Sequence, residues 1–340
     1  MKAVGLNKYL PIKDTESLLD LVLPKPKATG RDVLVNIHAI AMNPVDTKIR
    51  KPKDKIEPEP KILGWDAAGE VVEVGSEVTL FNIGDLVYYA GDVTRSGCNA
   101  EYQLVDERIV GHKPASLSFE KAAALPLTSI TAWEALFDRL GIAVDTAKNQ
   151  DKSILIIGGA GGVGSIAIQL ASKVAGLKVI TTASRPETIA WVKNLGADHV
   201  INHKEEIIAQ MEAIAFPQVD YILCNSDTDA YFQTMATLIK PQGKICSIVE
   251  TAKPINLDLL KTKSATFVWE FMFTRAMFKT TDMIAQHHIL ERIAKLIDNR
   301  TLRTTINEIK SPINATNLRA AHAQLESGTT IGKIVLSGWS

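Results

Sequence analysis

The segment 153–165, SILIIGGAGGVGS, constrains the fold of this chain more than any other. Apolar residues run straight into a glycine-rich loop that matches G-x-G-x-x-G from Gly159 to Gly164. A strand before such a loop and a helix after it are what a phosphate-binding βαβ turn requires. Gly159 is expected to make the tight turn, Gly161 to let the backbone approach a pyrophosphate, and Gly164 to let helix and strand pack closely. The alternative is a glycine-rich turn that binds no ligand.

Strand-like and helix-like segments alternate on both sides of this loop. Short apolar runs alternate with stretches of about ten residues that have helical composition, which predicts parallel βαβ units with helices on both faces. We therefore predict an α/β fold with a doubly wound parallel sheet. The predicted strands are 153–157, 178–182, 199–202, 219–223 and 244–249, and the predicted helices are 118–125, 129–139, 164–175, 186–195 and 230–239.

The residues near the two ends of the chain show a different secondary-structure pattern. Strand patterns at 32–40, 69–74 and 84–90 make the first 110 residues β-rich, and the chain closes with a long helical pattern and a final strand at 332–336. The proline-rich segment 51–61 is predicted to be a surface loop whose charges face solvent. The predicted layout is a β-rich domain, residues 1–124, an inserted dinucleotide-binding domain, 125–268, and a return to the first domain, 269–340.

Composition narrows the function further. The 340 residues carry 38 Lys and Arg against 38 Asp and Glu, so no net charge draws the chain to nucleic acid or to an anionic membrane. Cys98, Cys224 and Cys246 form no Cys-x-x-Cys pair, which excludes a disulfide framework and a four-cysteine zinc site. Neither a signal peptide nor an apolar run of roughly 18 residues is present. We expect a cytoplasmic protein with a small-molecule substrate and no nucleic-acid or membrane partner.

The end of the second predicted strand bears on which dinucleotide binds. An NAD site usually carries Asp or Glu about 20 residues past the loop, where it holds the ribose 2′-hydroxyl. Here the segment reads Thr-Ala-Ser-Arg, and the first acid is Glu187. Loss of the carboxylate removes the repulsion of a 2′-phosphate, and Arg185 adds a planar cation beside Ser184. The sequence therefore favours NADPH over NADH. An exposed arginine at a helix start is the alternative for Arg185.

Several motifs follow one another along the chain: NPVDTKIR at 43–50, LGWDAAGEV at 63–71, Gly84-Asp85, AAALPLT at 122–128, the glycine loop, and LGADHVIN at 195–202. In this order they resemble the medium-chain dehydrogenase/reductase superfamily, and within it the quinone oxidoreductase branch. The subgroup called zinc-type alcohol dehydrogenase-like proteins is the most similar. The resemblance implies a GroES-like β domain, a Rossmann domain, an active site in the cleft between them, and a homodimer.

The resemblance also raises the question of zinc. Zinc-dependent members have a cysteine at the position of Asn43, a histidine at that of Trp65, and a second cysteine near Leu127. Asn is a weak zinc ligand, and Trp and Leu cannot coordinate a metal. The four-cysteine structural lobe is missing as well, and Cys98 stands alone near that region. We therefore expect no metal site.

The resemblance points to residues around the active site. Asn43 would donate a hydrogen bond to the substrate oxygen and Asp46 would orient the loop or a water, or both would only build an Asn-Pro-x-Asp turn. Trp65 would line the substrate cleft or belong to the core. Trp269 lies in the aromatic stretch 267–278, interpreted as a lid over a flat apolar substrate or as core and dimer contact. Further cofactor contacts are predicted at Thr128, for which a helix cap is the alternative, and at Ala160, Gly162, Val163, His203, Asn225 and Val249.

Without a metal, alcohol oxidation loses its means of lowering the hydroxyl pKa. Hydride transfer to a quinone or an α,β-unsaturated carbonyl needs no metal, because the conjugated carbonyl takes up the electron pair and hydrogen-bond donors stabilise the anion. We predict an NADPH-dependent, zinc-independent quinone or enone oxidoreductase. Two alternatives stay open: a zinc-type alcohol dehydrogenase with atypical ligands, and a non-catalytic NADPH-binding sensor.

Overall fold

Both ends of the chain build one folded unit, and the middle builds another. In the computed structural model, which describes residues 1–339, the terminal unit comprises Met1–Ile130 with Phe273–Ser340, and the central unit comprises Thr131–Met272. The two boundaries predicted from the sequence lie six and four residues earlier. Where independent domains begin and end stays a prediction.

Sixteen strands occur within residues 1–339. Eight precede the central unit, six lie in it and two follow it. In chain order they are β1 Lys2–Tyr9, β2 Leu19–Val22, β3 Asp32–Ala41, β4 Lys53–Ile62, β5 Ala67–Val74, β6 Leu86–Tyr89, β7 Tyr102–Asp106, β8 Val110–His112, β9 Ser153–Ile157, β10 Lys178–Thr182, β11 His199–Ile201, β12 Val219–Cys224, β13 Ile239–Ser247, β14 Thr266–Trp269, β15 Ile306–Lys310 and β16 Lys333–Ser337.

Eleven α-helices occur in the same range, and proline opens three of them, where its missing N–H costs nothing. No helix in this range is long and apolar enough to cross a bilayer. The helices are α1 Pro44–Arg50, α2 Phe119–Ala123, α3 Pro126–Trp133, α4 Gly162–Gln169, α5 Pro186–Leu195, α6 Ile207–Ala213, α7 Thr228–Leu238, α8 Asp258–Lys261, α9 Thr274–Met277, α10 Ala285–Asp298 and α11 Ala315–Glu326.

The central unit contains one parallel sheet with the strand order β11-β10-β9-β12-β13-β14. Every residue of β9 is buried, as expected for a strand covered on both faces. The order changes direction between β9 and β12, and ligands bind at the carboxyl edge of such a switch point in doubly wound sheets. The glycine loop leaves β9 at this edge. The predicted doubly wound sheet is confirmed.

The terminal unit contains a seven-stranded sheet in the order β15-β16-β3-β5-β6-β8, with β7 also paired to β3. All its pairs are antiparallel except β15 with β16. The C-terminal strand β16 pairs with β3, with Val335 opposite Ala41. This pairing brings the residues at the start of β16 next to the segment that follows β3.

The prediction of a loop at 51–61 is wrong, because residues 53–62 form β4. This strand pairs only with β1, at the edge of a three-stranded sheet, and the register shifts along the pair. Proline is tolerated on an edge strand, where one side of the backbone needs no partner. The charged side chains of β4 are largely exposed, as the sequence predicted.

Candidate functional site

The glycine loop joins β9 to α4 in the central unit. The positive φ of its turn falls at Gly158, at 83°, whereas the sequence analysis placed the tight turn at Gly159. A Cβ on Gly159 would lie 2.0 Å from Thr181 Oγ1, and one on Gly164 would lie 2.3 Å from the Gly158 carbonyl oxygen. Packing inside the protein therefore requires glycine at both positions.

Gly161 is different, because the surrounding protein leaves room for a side chain there. Its φ of −72° and ψ of 175° suit any residue, and the nearest non-neighbouring atom to a Cβ would be the Gly158 oxygen, 3.8 Å away. Gly161 caps α4, whose first backbone N–H groups have no partner within the helix. Such a helix start favours an anion, so the open space beside Gly161 fits a bound phosphate. Ala160, Gly162 and Val163 complete this loop.

Three basic side chains lie beyond the carboxyl ends of β10 and β11. Arg185, preceded by Ser184, is about one-third exposed, and its Nε lies 3.2 Å from Glu187 Oε1. Burial lowers the pKa of His203, and the charges of Lys204 and Arg185 lower it further. The charges of Arg185 and Lys204 therefore lie near enough to His203 to act on it. Arg185 and His203 were predicted from the sequence, whereas Lys204 was not.

Asn225 and Val249 follow β12 and β13, two neighbouring strands, at the same edge of the sheet. The Nδ2 and Oδ1 atoms of Asn225 are buried and have no hydrogen-bond partner within residues 1–339. A Cβ on Gly158 would lie 3.5 Å from the Cβ of Asn225, so this side chain adjoins the glycine loop. An unpaired buried amide costs about 1–3 kcal/mol, which a ligand with matching polar groups would recover.

In the terminal unit, four polar side chains meet between β3, β5 and β16. They are Asn43, Asp46, Asp66 and Lys333, here called the polar corner, and each is at most 2% exposed. Lys333 Nζ lies 2.7 Å from Asp66 Oδ2 and 2.8 Å from the carbonyl oxygen of Met42. It also donates to Asn43 Oδ1. A buried ion pair of this kind is expected only with such additional hydrogen bonds.

Asn43 precedes α1 and directs its amide group into the polar corner. Its Nδ2 donates to Asp66 Oδ2 at 2.8 Å and to the carbonyl oxygen of Trp65 at 3.2 Å. The amide of Asn43 is therefore hydrogen-bonded within the protein on both its nitrogen and its oxygen. Donation to a substrate oxygen would require one of these bonds to be exchanged, and this role of Asn43 stays a prediction.

Asp46 lies in the first turn of α1 and is completely buried. Its Oδ2 accepts the backbone N–H of Asn43 at 2.6 Å, whereas its Oδ1 has no partner within residues 1–339. Burial raises the pKa of Asp46 to about 7, although the Asn43 N–H and the charge of Lys333 act in the opposite direction. Asp46 can thus hold a proton close to neutral pH.

The other predicted site residues occupy different environments. Trp65 is fully buried in the terminal unit and donates its indole N–H to the carbonyl oxygen of Asp92 at 3.2 Å. Thr128 is buried in the first turn of α3, where its hydroxyl donates to the carbonyl oxygen of Leu125 rather than capping the helix. Trp269, at the end of β14, is 46% exposed. Their roles toward substrate and cofactor stay predictions.

The residues of the polar corner do not fit a zinc ion. No group of three or more His, Cys, Asp or Glu residues in the described part of the chain is arranged to hold a metal. The Leu127 segment contributes only a backbone N–H, which donates to Asp66 Oδ1 at 2.8 Å. The ammonium of Lys333 already neutralises Asp66, so a divalent cation would meet a positive charge instead of a free carboxylate.

Comparison with known proteins decides the family. Residues 195–336 match the family model "Zinc-binding dehydrogenase", and residues 29–115 match "Alcohol dehydrogenase GroES-like domain". A zinc-type alcohol dehydrogenase-like protein of Staphylococcus aureus (strain MSSA476) is 45% identical over 99% of this chain and 100% of its own length. The chain belongs to the medium-chain dehydrogenase/reductase superfamily, in its quinone oxidoreductase branch.

Solved structures of this superfamily share the fold over the whole chain. A protein from Rhizobium etli CFN 42, described as a zinc-dependent alcohol dehydrogenase, is 49% identical, covers 100% of this chain and 98% of its own, and has a TM-score of 0.95. The quinone oxidoreductase of Coxiella burnetii is 30% identical, covers 99% of both chains, and has a TM-score of 0.81. This medium-chain dehydrogenase/reductase therefore combines a GroES-like sheet unit with a Rossmann unit, as the sequence predicted.

In this superfamily member, Lys333 was not predicted from the sequence as a site residue. One signal was available: Lys333 opens the apolar segment KIVL, and a charged residue at the start of a buried strand needs a partner. The partner, Asp66, lies 267 residues earlier in the chain, and no local pattern connects the two.

Proposed function

We propose that this protein transfers a hydride from NADPH to a quinone or an α,β-unsaturated carbonyl, without zinc. The polar corner carries the proposal, because Asn43 stands where zinc-dependent relatives have a cysteine ligand and Lys333 neutralises the nearby carboxylate of Asp66. An alcohol substrate would find no Lewis acid there to lower its hydroxyl pKa. A conjugated carbonyl needs none, because it accepts the electron pair itself. The likeness to a quinone oxidoreductase supports this class of acceptor.

The central unit provides the groups that would bind the cofactor. NADPH supplies the hydride when it is bound. The loop from Gly159 to Gly164 would hold the pyrophosphate at the start of α4. Arg185, with Ser184, His203 and Lys204 nearby, would hold the 2′-phosphate, which NADH lacks. The unpaired amide of Asn225 would contact the cofactor at the sheet edge, close to Val249. A cofactor contact by Thr128, which lies in the terminal unit, stays a prediction.

The reaction also needs a proton. A quinone that receives a hydride becomes a hydroquinone anion, and an enone becomes an enolate, so one proton must follow the two electrons. We propose that Asp46 holds this proton, because burial raises its pKa to about 7. Asn43 lies next to Asp46 and connects it to the rest of the polar corner. Trp65 is proposed to border the substrate, and contact of Trp269 with the substrate stays a prediction.

Assays with the purified protein test the proposal. We expect quinones and enones to oxidise NADPH much faster than NADH, and we expect the activity to survive chelation of metals. Elemental analysis should find no stoichiometric zinc. Tight NADPH binding without turnover of any acceptor would favour the sensor alternative. Zinc that is lost together with activity on chelation would favour the zinc-type alcohol dehydrogenase. A cytoplasmic location, in keeping with the three free cysteines, belongs to the same proposal.

A further inference from the structure

The ammonium of Lys333 is completely hydrogen-bonded. An ammonium has three N–H donors and no acceptor. Lys333 uses all three on oxygen atoms, those of Asp66 Oδ2 at 2.7 Å, the Met42 carbonyl at 2.8 Å and Asn43 Oδ1. Because the side chain is only 2% exposed, these bonds are not shared with solvent. The polar corner is thus a built cage for one positive charge.

Without the ammonium of Lys333, the three oxygen atoms of the cage would be free to ligate a hard metal cation. A carboxylate, an amide oxygen and a backbone carbonyl are the oxygen ligands that hard divalent ions prefer. In this chain the position is occupied by a cation that is covalently part of β16. A tethered charge cannot dissociate, and it repels a free metal ion from the same oxygens.

Asp66 extends the effect of Lys333 to two further segments. Its Oδ2 accepts from Asn43 Nδ2 at 2.8 Å, which fixes the segment before α1. Its Oδ1 accepts the backbone N–H of Leu127 at 2.8 Å, which fixes the first turn of α3. Thr128, a predicted cofactor contact, is the next residue. Lys333 therefore connects β16 to two segments that carry candidate site residues.

We propose that Lys333 is a built-in cation that takes the place of the metal in this chain, and that it is a positioning residue for Asn43 and the start of α3. The kinetic part of this inference rests on the proposed function, and the cation part does not. The competing explanation is that Lys333 only balances the charge of Asp66 and has no effect on the reaction. The two explanations predict different reaction rates for a variant with uncharged residues at both position 66 and position 333.

The cation part is tested with Lys333→Ala, which leaves the oxygen cage without its charge. We expect a lower thermal midpoint than in the wild type, and a partial recovery when Mn²⁺ or Zn²⁺ is added in excess over EDTA, because a ligand that binds only the folded state stabilises it. Lys310→Ala, in the neighbouring strand β15, is the matched control and should not respond to metal. A wild-type protein that is stabilised by one equivalent of Zn²⁺, or a folded Lys333→Ala that ignores both ions, would overturn the inference.

The kinetic part is tested with the double variant Asp66→Asn/Lys333→Met, which removes both charges and leaves no buried ion unpaired. We expect it to fold with nearly the wild-type midpoint, measured by thermal unfolding. Its kcat should fall about tenfold to a hundredfold, because displaced site residues cost that much in rate. A double variant with the wild-type kcat would show that Lys333 is only a counter-ion. Absence of turnover in the wild type would instead refute the proposed function, and the metal experiment would then decide the inference alone.

Discussion

At the scale of single residues, burial raises the pKa of the carboxyl groups in the polar corner. Asp46 and Asp66 are both completely buried, and burial raises the pKa of each. Asp66 has Lys333 as a direct partner, whereas Asp46 has one oxygen without any partner in the described chain. The two carboxyl groups of the polar corner can therefore play different roles. Asp66 holds the structure together, and Asp46 can gain and lose a proton.

The raised pKa of Asp46 predicts a pH-dependent stability. The folded protein keeps this proton up to about pH 7, while the unfolded chain releases it near the ordinary value of 3.8. The folded state thus binds more protons between these values, and stability falls as pH rises from about 4 to about 7 and is constant above. Between pH 5 and 8 we expect the wild type to lose roughly 3 kcal/mol relative to Asp46→Asn, since the loss spans about two pH units and one unit corresponds to about 1.4 kcal/mol.

Urea unfolding at a series of pH values measures this difference. Asp54→Asn, at an exposed position of β4, is the control and should follow the wild type at every pH. If the difference in unfolding free energy between the wild type and Asp46→Asn stays constant from pH 5 to pH 8, the raised pKa of Asp46 is contradicted.

Arg185 predicts the cofactor preference. A charge-assisted hydrogen bond to a phosphate contributes about 1.5–3 kcal/mol, so Arg185→Ala should raise the KM for NADPH about tenfold or more. The KM for NADH should stay unchanged, because NADH has no 2′-phosphate. Steady-state kinetics with both cofactors, and with Lys193→Ala in the exposed part of α5 as control, provide the measurement. Equal losses for NADPH and NADH would show that Arg185 does not contact the phosphate.

At the scale of elements, the predictions were most accurate where glycine or proline marks the end of a strand or the start of a helix. β9, β10 and α5 have the predicted bounds, because glycines end the first strand and Pro186 opens the helix. Two predicted helices, 129–139 and 164–175, are helical but widen to π-helical turns at Glu134–Arg139 and Leu170–Ala175. β4 was missed because proline and charge are typical of loops and also of edge strands, and only the partner strand β1 distinguishes the two.

The glycine loop allows a matched pair of variants within one element. Gly161→Ala adds a methyl group into open space, so we expect normal stability and NADPH affinity at least about tenfold weaker, because that space is proposed to hold the pyrophosphate. Gly164→Ala would place a Cβ 2.3 Å from the Gly158 oxygen, so we expect marked destabilisation. Thermal unfolding and NADPH fluorescence titration measure both effects. Normal NADPH binding by Gly161→Ala would show that the pyrophosphate does not bind at this loop.

The candidate site was predictable from sequence only where its residues lie close together in the chain. The glycine loop and Arg185 belong to one βαβ unit, and their spacing carries the information. The polar corner joins residues 43, 46, 66 and 333, which come together only through the pairing of β3 with β5 and with β16. The resemblance to a family drew attention to Asn43 and Asp46 there, but Lys333 became visible only in the structure.

At the scale of the whole molecule, the outermost strand of the central sheet determines what assembly is expected. Within residues 1–339, β14 pairs with β13 on one side and with no strand on the other. Trp269 at its end is 46% exposed, a large apolar surface beside an open edge. An edge of this kind is a template for pairing with a second chain. We propose that two copies of the chain pair along β14.

The proposed homodimer predicts a mass of about 74 kDa, twice the 37.1 kDa of one chain. Trp269→Glu should shift the mass towards 37.1 kDa, because a carboxylate at the interface would lose its water. Light scattering coupled to size-exclusion chromatography gives the mass directly. Ile309→Glu, an exposed apolar residue on the edge strand β15, is the control and should remain dimeric. A wild-type mass of one chain would refute the dimer.

The long separation between Asp66 and Lys333 along the chain affects how the protein folds during its synthesis. The 267 residues between them take roughly 15 to 50 s to synthesise at 5–20 residues per second. During this time the growing chain already contains Asp66 and Asn43 but not the ammonium that neutralises them. β3 also waits for β16, its neighbour in the finished sheet. On the ribosome, the inserted Rossmann unit can complete its sheet before the surrounding unit, so the unit that is begun first is completed last.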